Sequence, residues 1–228
     1  MKNLLLCITA LIFLISCSAD SDFDKSANDQ TQSVETNISK FPANNTNPYD
    51  SIGKGFYKAL DLYYVEKQFP NSIKEITNQI KFVSATVTKR SNTSKLIVFN
   101  DEIVEAIMSD PDNMMISIVQ NSSLGIAAKA NLINFLQNLI LQRQEEFNVI
   151  YEFIISYEST VIDNNEISDD EKETLLSVTS ISRYSLYSES ERKDRDWEKN
   201  VGSRTAKPFF VKNQVSLVSL IALLGKFL

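Results

Sequence analysis

The chain has 228 residues, with 23 basic and 29 acidic side chains and a formal net charge of −6. The acidic balance argues against nucleic acid as a partner, because such binding needs a strongly basic face. The absence of histidine removes Ser-His-Asp and Cys-His catalysis and His-ligated zinc or iron sites. The length suits one domain with a sizeable core.

The amino terminus reads MKNLLLCITALIFLISC. Lys2 is a positive flank and Leu4 to Ile15 an apolar run, the pattern of a secretory signal peptide over residues 1–16. The run is too short to span a bilayer, which takes about 20 apolar residues. Its junction, Leu14-Ile15-Ser16-Cys17, resembles the lipobox of bacterial lipoproteins. That resemblance implies a diacylglycerol on the Cys17 sulfur, cleavage before Cys17, and acylation of the new amine. A thiolate is the nucleophile such a transfer needs, and two or more acyl chains hold a protein at a membrane where one does not. Cys7 lies in the segment to be removed, so the mature chain is expected to carry no disulfide and no free thiol. Its charge is expected to become 22 − 29 = −7 once Lys2 is lost.

Residues 17–47 are rich in Ser, Asn, Asp and Thr and poor in large apolar side chains. Such a stretch cannot bury enough surface to offset its ordering entropy, and it is expected to be a lipidated flexible tether. A coil of that length spans on the order of 30 Å. Residues 48–228 are expected to form an all-α domain, a single bundle of about six to eight helices.

The helices are expected to follow in this order. Asn47 caps the first and Pro48 opens it, with Ile52, Phe56, Leu60 and Tyr63 inward. Pro70-Asn71-Ser72 breaks it and starts a second, carrying Ile73, Ile76, Ile80 and Val83. KRSNTSK, residues 89–95, is a polar loop, and Leu96–Phe99 reads as a helix end. Asn100 caps a helix through Met108, with Asp101 and Glu102 at the positive end of its dipole. Asp110-Pro111 repeats the device ahead of Met114, Met115, Ile118 and Val119. From Leu124 to Ser159 one apolar stripe predicts a single helix about 54 Å long at 1.5 Å per residue, the spine around which the others pack. Ser168-Asp169-Asp170-Glu171 is a capping box that opens a helix with Leu175, Leu176 and Thr179 inward, continuing towards Tyr187. Val201-Gly202 is a stop, and Pro208 opens a last helix through Leu228. Sustained two-residue alternation is missing and glycine is scarce, at five, so a turn-rich β fold is disfavoured.

Several motifs stop short of chemistry. Asp163-Asn164-Asn165-Glu166 begins like a calcium loop, but Ser168 and Thr174 stand where that loop needs Gly and Glu. Gly53-Lys54-Gly55 lacks the spacing of a phosphate loop. The pairs Glu145/Glu146 and Asp169/Asp170 are adjacent on helices and diverge. No cofactor, metal or catalytic residue is expected, and the chain is not expected to be an enzyme.

Two segments remain as surfaces. Residues 215–224, VSLVSLIALL, are apolar nearly all round and need cover on several sides; a core helix or a homodimer contact would supply it. Residues 188–200, SESERKDRDWEKN, read as a solvated helix face of Glu/Lys/Arg pairs with Trp197 packed beneath it. In the other reading Arg183, Tyr184, Tyr187, Arg192, Arg195 and Trp197 are partner-binding anchors, being the residue types that dominate interfaces.

The LISC junction, the Asn- and Ser-rich tether and the Lys-, Asn- and Ile-rich helical body together resemble surface lipoproteins of Borrelia-type spirochetes. Members of that group are mostly non-enzymatic and many are helical. Several bind host complement regulators, matrix proteins or plasminogen. The resemblance implies a protein held to the bacterial outer membrane through Cys17, exposed at the cell surface and binding a host protein. A periplasm-facing structural or envelope-assembly lipoprotein is the alternative.

Overall fold

The structure, a computed structural model, describes residues 42–87, 100–199 and 210–228. Outside them lie the expected signal segment and Cys17, residues 17–41 of the expected tether, the loop at 89–95, Leu96–Phe99, Val201-Gly202 and Pro208. Among the described residues there are eight helices and no strand: α1 (Asp50–Glu66), α2 (Ile73–Val87), α3 (Asp101–Ser109), α4 (Pro111–Gln120), α5 (Ile126–Leu141), α6 (Phe147–Asp163), α7 (Asp169–Lys199) and α8 (Gln214–Phe227). The domain is all-α.

Local chemistry sets most of these boundaries. Asn100 Oδ1 accepts from the Ile103 amide at 2.9 Å and Asp110 Oδ1 from the Asn113 amide at 3.2 Å. Each oxygen satisfies an amide that its helix leaves unpaired in the first turn. Ahead of α2, Ser72 Oγ accepts from the Glu75 amide while Glu75 Oε2 accepts from Asn71. At α7 the capping box is altered, because the Ser168 amide and hydroxyl both donate to Glu171 Oε2. The other oxygen of Glu171 accepts from the Gly125 amide at 2.7 Å, so one carboxylate ties the starts of α5 and α7 together. These donors, the Ser168 hydroxyl first, hold the Glu171 carboxyl below the usual range.

The expected single helix over Leu124–Ser159 is instead a hairpin. The chain turns between Leu141 and Phe147, with Gln142 and Arg143 bonded back to Asn138 and Ile140. The reversal brings Phe135 against Phe153 at 5.6 Å and Tyr157 at 4.4 Å between ring centroids. No straight helix lets residues 22 apart touch. The gap QRQEE carries no apolar residue, and the stripe resumes after it close to the same phase, which conceals the turn.

The spine is α7. It packs against α1, α6 and α8 and touches α5, and from Leu175 to Leu186 every residue is buried. Helix α8 is the second core element, covered by α7, α2, α3 and α4. Residues 215–224 are all buried, so the apolar surface that the sequence offered to a homodimer is already covered within one chain. Helix α8 starts at Gln214, six residues after the expected Pro208. Asn213 precedes it at φ 60°, a left-handed conformation that asparagine tolerates.

Small residues on α7 let its neighbours approach closely. The Gly53 amide of α1 donates to Ser180 Oγ at 3.0 Å, and that hydroxyl donates to the Asp50 carbonyl at 3.1 Å. A Cβ on Gly53 would lie 2.3 Å from Ser180 Oγ and 2.5 Å from the Ser180 carbonyl oxygen. Gly53→Ala is therefore expected to destabilise the domain by about 2–3 kcal/mol through overpacking. Gly55→Ala, where nothing lies within 4 Å, should gain about 0.5–1 kcal/mol from helix propensity. Urea unfolding of both variants checks the pair; equal midpoints would mean that α1 and α7 are not in close contact at Gly53.

Candidate functional site

The candidate anchors begin midway along α7. Arg183 has no exposed surface. Its Nε reaches Glu158 Oε1 of α6 at 3.2 Å and its Nη2 reaches Asp50 Oδ1 at 2.7 Å. Its Nη1 donates to the carbonyl of Pro42. All three nitrogens of the guanidinium are thus turned inward.

Glu158 is equally enclosed, and its carboxylate is filled with donors. Oε1 accepts from Asn47 Nδ2 at 2.7 Å and Thr179 Oγ1 at 2.7 Å, and Oε2 from Asn44 Nδ2 at 2.6 Å. Asp50 takes the Asn44 amide on Oδ1 and the Tyr184 hydroxyl on Oδ2. Tyr151 of α6 donates to the Ala43 carbonyl at 2.9 Å. A buried charge survives when it is paired and hydrogen-bonded, and here each ion is both. Burial, then the bond to Asp50, pushes the Tyr184 phenol well above its ordinary range.

This cluster holds chain. Residues 42–49 form a strap whose Pro42 and Ala43 carbonyls and Asn44 and Asn47 side chains are gripped by α6 and α7. Asn47 is buried and does not cap α1 in the expected way. Its Nδ2 donates to Glu158 and to the Leu176 carbonyl, while its Oδ1 accepts from the Tyr49 amide. Helix α1 consequently begins at Asp50, and residues 42–47, expected to belong to the tether, are bonded to the helices.

The expected anchors therefore divide. Arg183 is fully enclosed and Tyr184 is 5 % exposed, because Asp50 takes the guanidinium of one and the hydroxyl of the other. Tyr187 is half-buried, and its hydroxyl donates to Glu191 Oε1 at 2.8 Å, beside Tyr57, whose hydroxyl takes Glu191 Oε2 at 2.8 Å. Arg192 lies 4.2 Å above the Tyr64 ring and 3.3 Å from Asp61, which ties α7 to α1 while leaving part of the side chain in solvent. Arg195 and Trp197 lie on α7, but their side chains are outside the described residues.

No protein-family model matches the chain, and neither the comparison with curated proteins nor that with solved structures finds a match. Among the described residues no helix is long and apolar enough to cross a membrane, and no group of three Cys, Asp or Glu is placed to hold a metal ion.

None of the expected site residues is Asp50, Asn47 or Glu158, although Asn47 is expected as a helix cap. A signal was present for Glu158, which continues the buried stripe of Ile150 and Ile154 at helical spacing. An acid at a core position calls for a buried cation, and Arg183 stands among Val178, Ile181 and Leu186 in the same way. A second signal is Glu189, also buried. Its Oε2 accepts from the Ser216 amide at 2.7 Å, in the first turn of α8, where Asn213 supplies no side-chain cap. A carboxylate at that position also opposes the positive end of the helix dipole.

Proposed function

We propose that the chain is a lipid-anchored protein of the bacterial outer membrane that faces the cell surface and acts by binding a host molecule, without catalysis. The observation that carries this reading is the Leu14-Ile15-Ser16-Cys17 junction behind a charged flank and an apolar run. Support comes from the order of segments in the sequence: a polar stretch follows Cys17 and precedes the helical body. Acyl chains at Cys17 concentrate the body at the membrane, and many copies on one cell bind a partner with an avidity above that of a single contact. The half-buried Tyr187 and Arg192, with Tyr57 and Tyr64 beside them, form the most interface-like surface of the described part of α7.

Cys17→Ala is expected to move the protein from the detergent phase to the aqueous phase while its circular dichroism stays helical. An unchanged detergent fraction would refute the anchor. Protease treatment of intact cells then places the body. Removal of the helical domain supports surface display, and its protection would favour the periplasm-facing alternative.

A further inference from the structure

A second polar seam runs along α7, away from the Arg183 cluster. Ser185, Ser188 and Glu189 of α7 line it with Ser216 and Ser219 of α8 and Gln79 of α2. Leu60, Tyr64, Phe69 and Val215 supply its apolar wall. These residues line a small, partly open cavity of about 10 Å³, the size of a single water on the measure that assigns one water about 10–15 Å³. Ser219 is 3 % exposed, lines this space, and its hydroxyl has no hydrogen-bond partner among the described residues.

The chemistry of the walls selects the occupant. Glu189 Oε2 is taken by the Ser216 amide. Its Oε1 lies 2.8 Å from Lys193 Nζ, close enough to balance charge but without a directed hydrogen bond, so a lone pair remains for another donor. With Lys193 and the α8 amides offsetting the carboxylate, the cavity has no net charge to draw a cation, and the carboxylate itself repels anions. A buried serine that needs a partner beside a carboxylate that can still accept calls for a small neutral molecule able to donate and to accept. An apolar guest would leave both groups unsatisfied.

We propose that this cavity binds one internal water, which joins Ser219 Oγ to Glu189 Oε1 and completes the polar seam between α7 and α8. The water is structural, and hydrogen bonds at both ends are expected to hold it longer than surface water.

Oxygen-17 magnetic relaxation dispersion on the full chain counts such long-residence waters. Ser219→Val removes the hydroxyl and fills the space, so the count is expected to fall by one relative to wild type. Should that variant fail to fold by circular dichroism, Val215→Ile narrows the same cavity from its apolar wall and should give the same loss. An unchanged count in the folded variant would overturn the site. A high-resolution crystal structure of the wild type should show density about 2.7–3.0 Å from Ser219 Oγ, a hydrogen-bond distance; a dry cavity there would overturn it as well.

Discussion

Replacing Arg183 with methionine is expected to cost about 3–5 kcal/mol of folding stability, the usual result of removing one partner from a buried ion pair. Methionine fills much of the same space, so the loss is electrostatic. Glu158 keeps Asn44, Asn47 and Thr179 as donors, but its charge would stand with no cation in a fully enclosed position. Asp50 suffers less, since 18 % of its side chain reaches solvent. For a domain of this size the loss corresponds to a fall in melting temperature of roughly 10 °C. The double variant Arg183→Met with Glu158→Gln removes both charges and is expected to recover at least about 1 kcal/mol over the arginine change alone. A double variant whose loss equals the sum of the two single losses would show that the pair is not coupled.

Val218→Asp is expected to be the other large loss, about 4 kcal/mol or more. Val218 is 2 % exposed and sits within the ten-residue buried stretch of α8, with Leu217, Leu220 and Ile221 also buried. The nearest described polar groups on this helix are serines, among which Ser216 is already bonded to the Ser185 carbonyl. A carboxylate placed there has no prepared cation, and burying it unpaired carries a large desolvation cost. Thermal unfolding followed by circular dichroism reads the effect. A midpoint within a degree or two of wild type would mean that α8 is not core.

The two variants probe features of different legibility. Val218 stands out in the sequence, because VSLVSLIALL admits few environments other than a core. Arg183 has the residue type of an interface anchor, and its neighbours on the chain, Tyr184, Tyr187 and Arg192, repeat that impression. Its partners lie 25 and 133 residues away, and no local pattern brings them together. The same distance conceals the strap. Asn47-Pro48 has the composition of a helix start, yet the asparagine is drawn to Glu158 and Leu176, 111 and 129 residues along the chain. A strong local preference lost to a buried polar network because leaving that network unsatisfied costs more than moving a helix cap by two residues.

The caps at Asn100 and Asp110, the Ser168–Glu171 pair, the apolar faces of α2 and α4 and the all-α class were determined by the sequence alone. Each rests on contacts within about four residues, where chain geometry leaves little choice. Tertiary structure decided the rest: that the stripe from Leu124 folds back at residues 142–146, that α7 is the spine, and that Arg183 is turned inward. An apolar period records which face is buried, not what buries it. Only the assembled helices determine which buried charge finds its counterion, since a pairing that is costly to break in a closed core has no counterpart in the isolated segment.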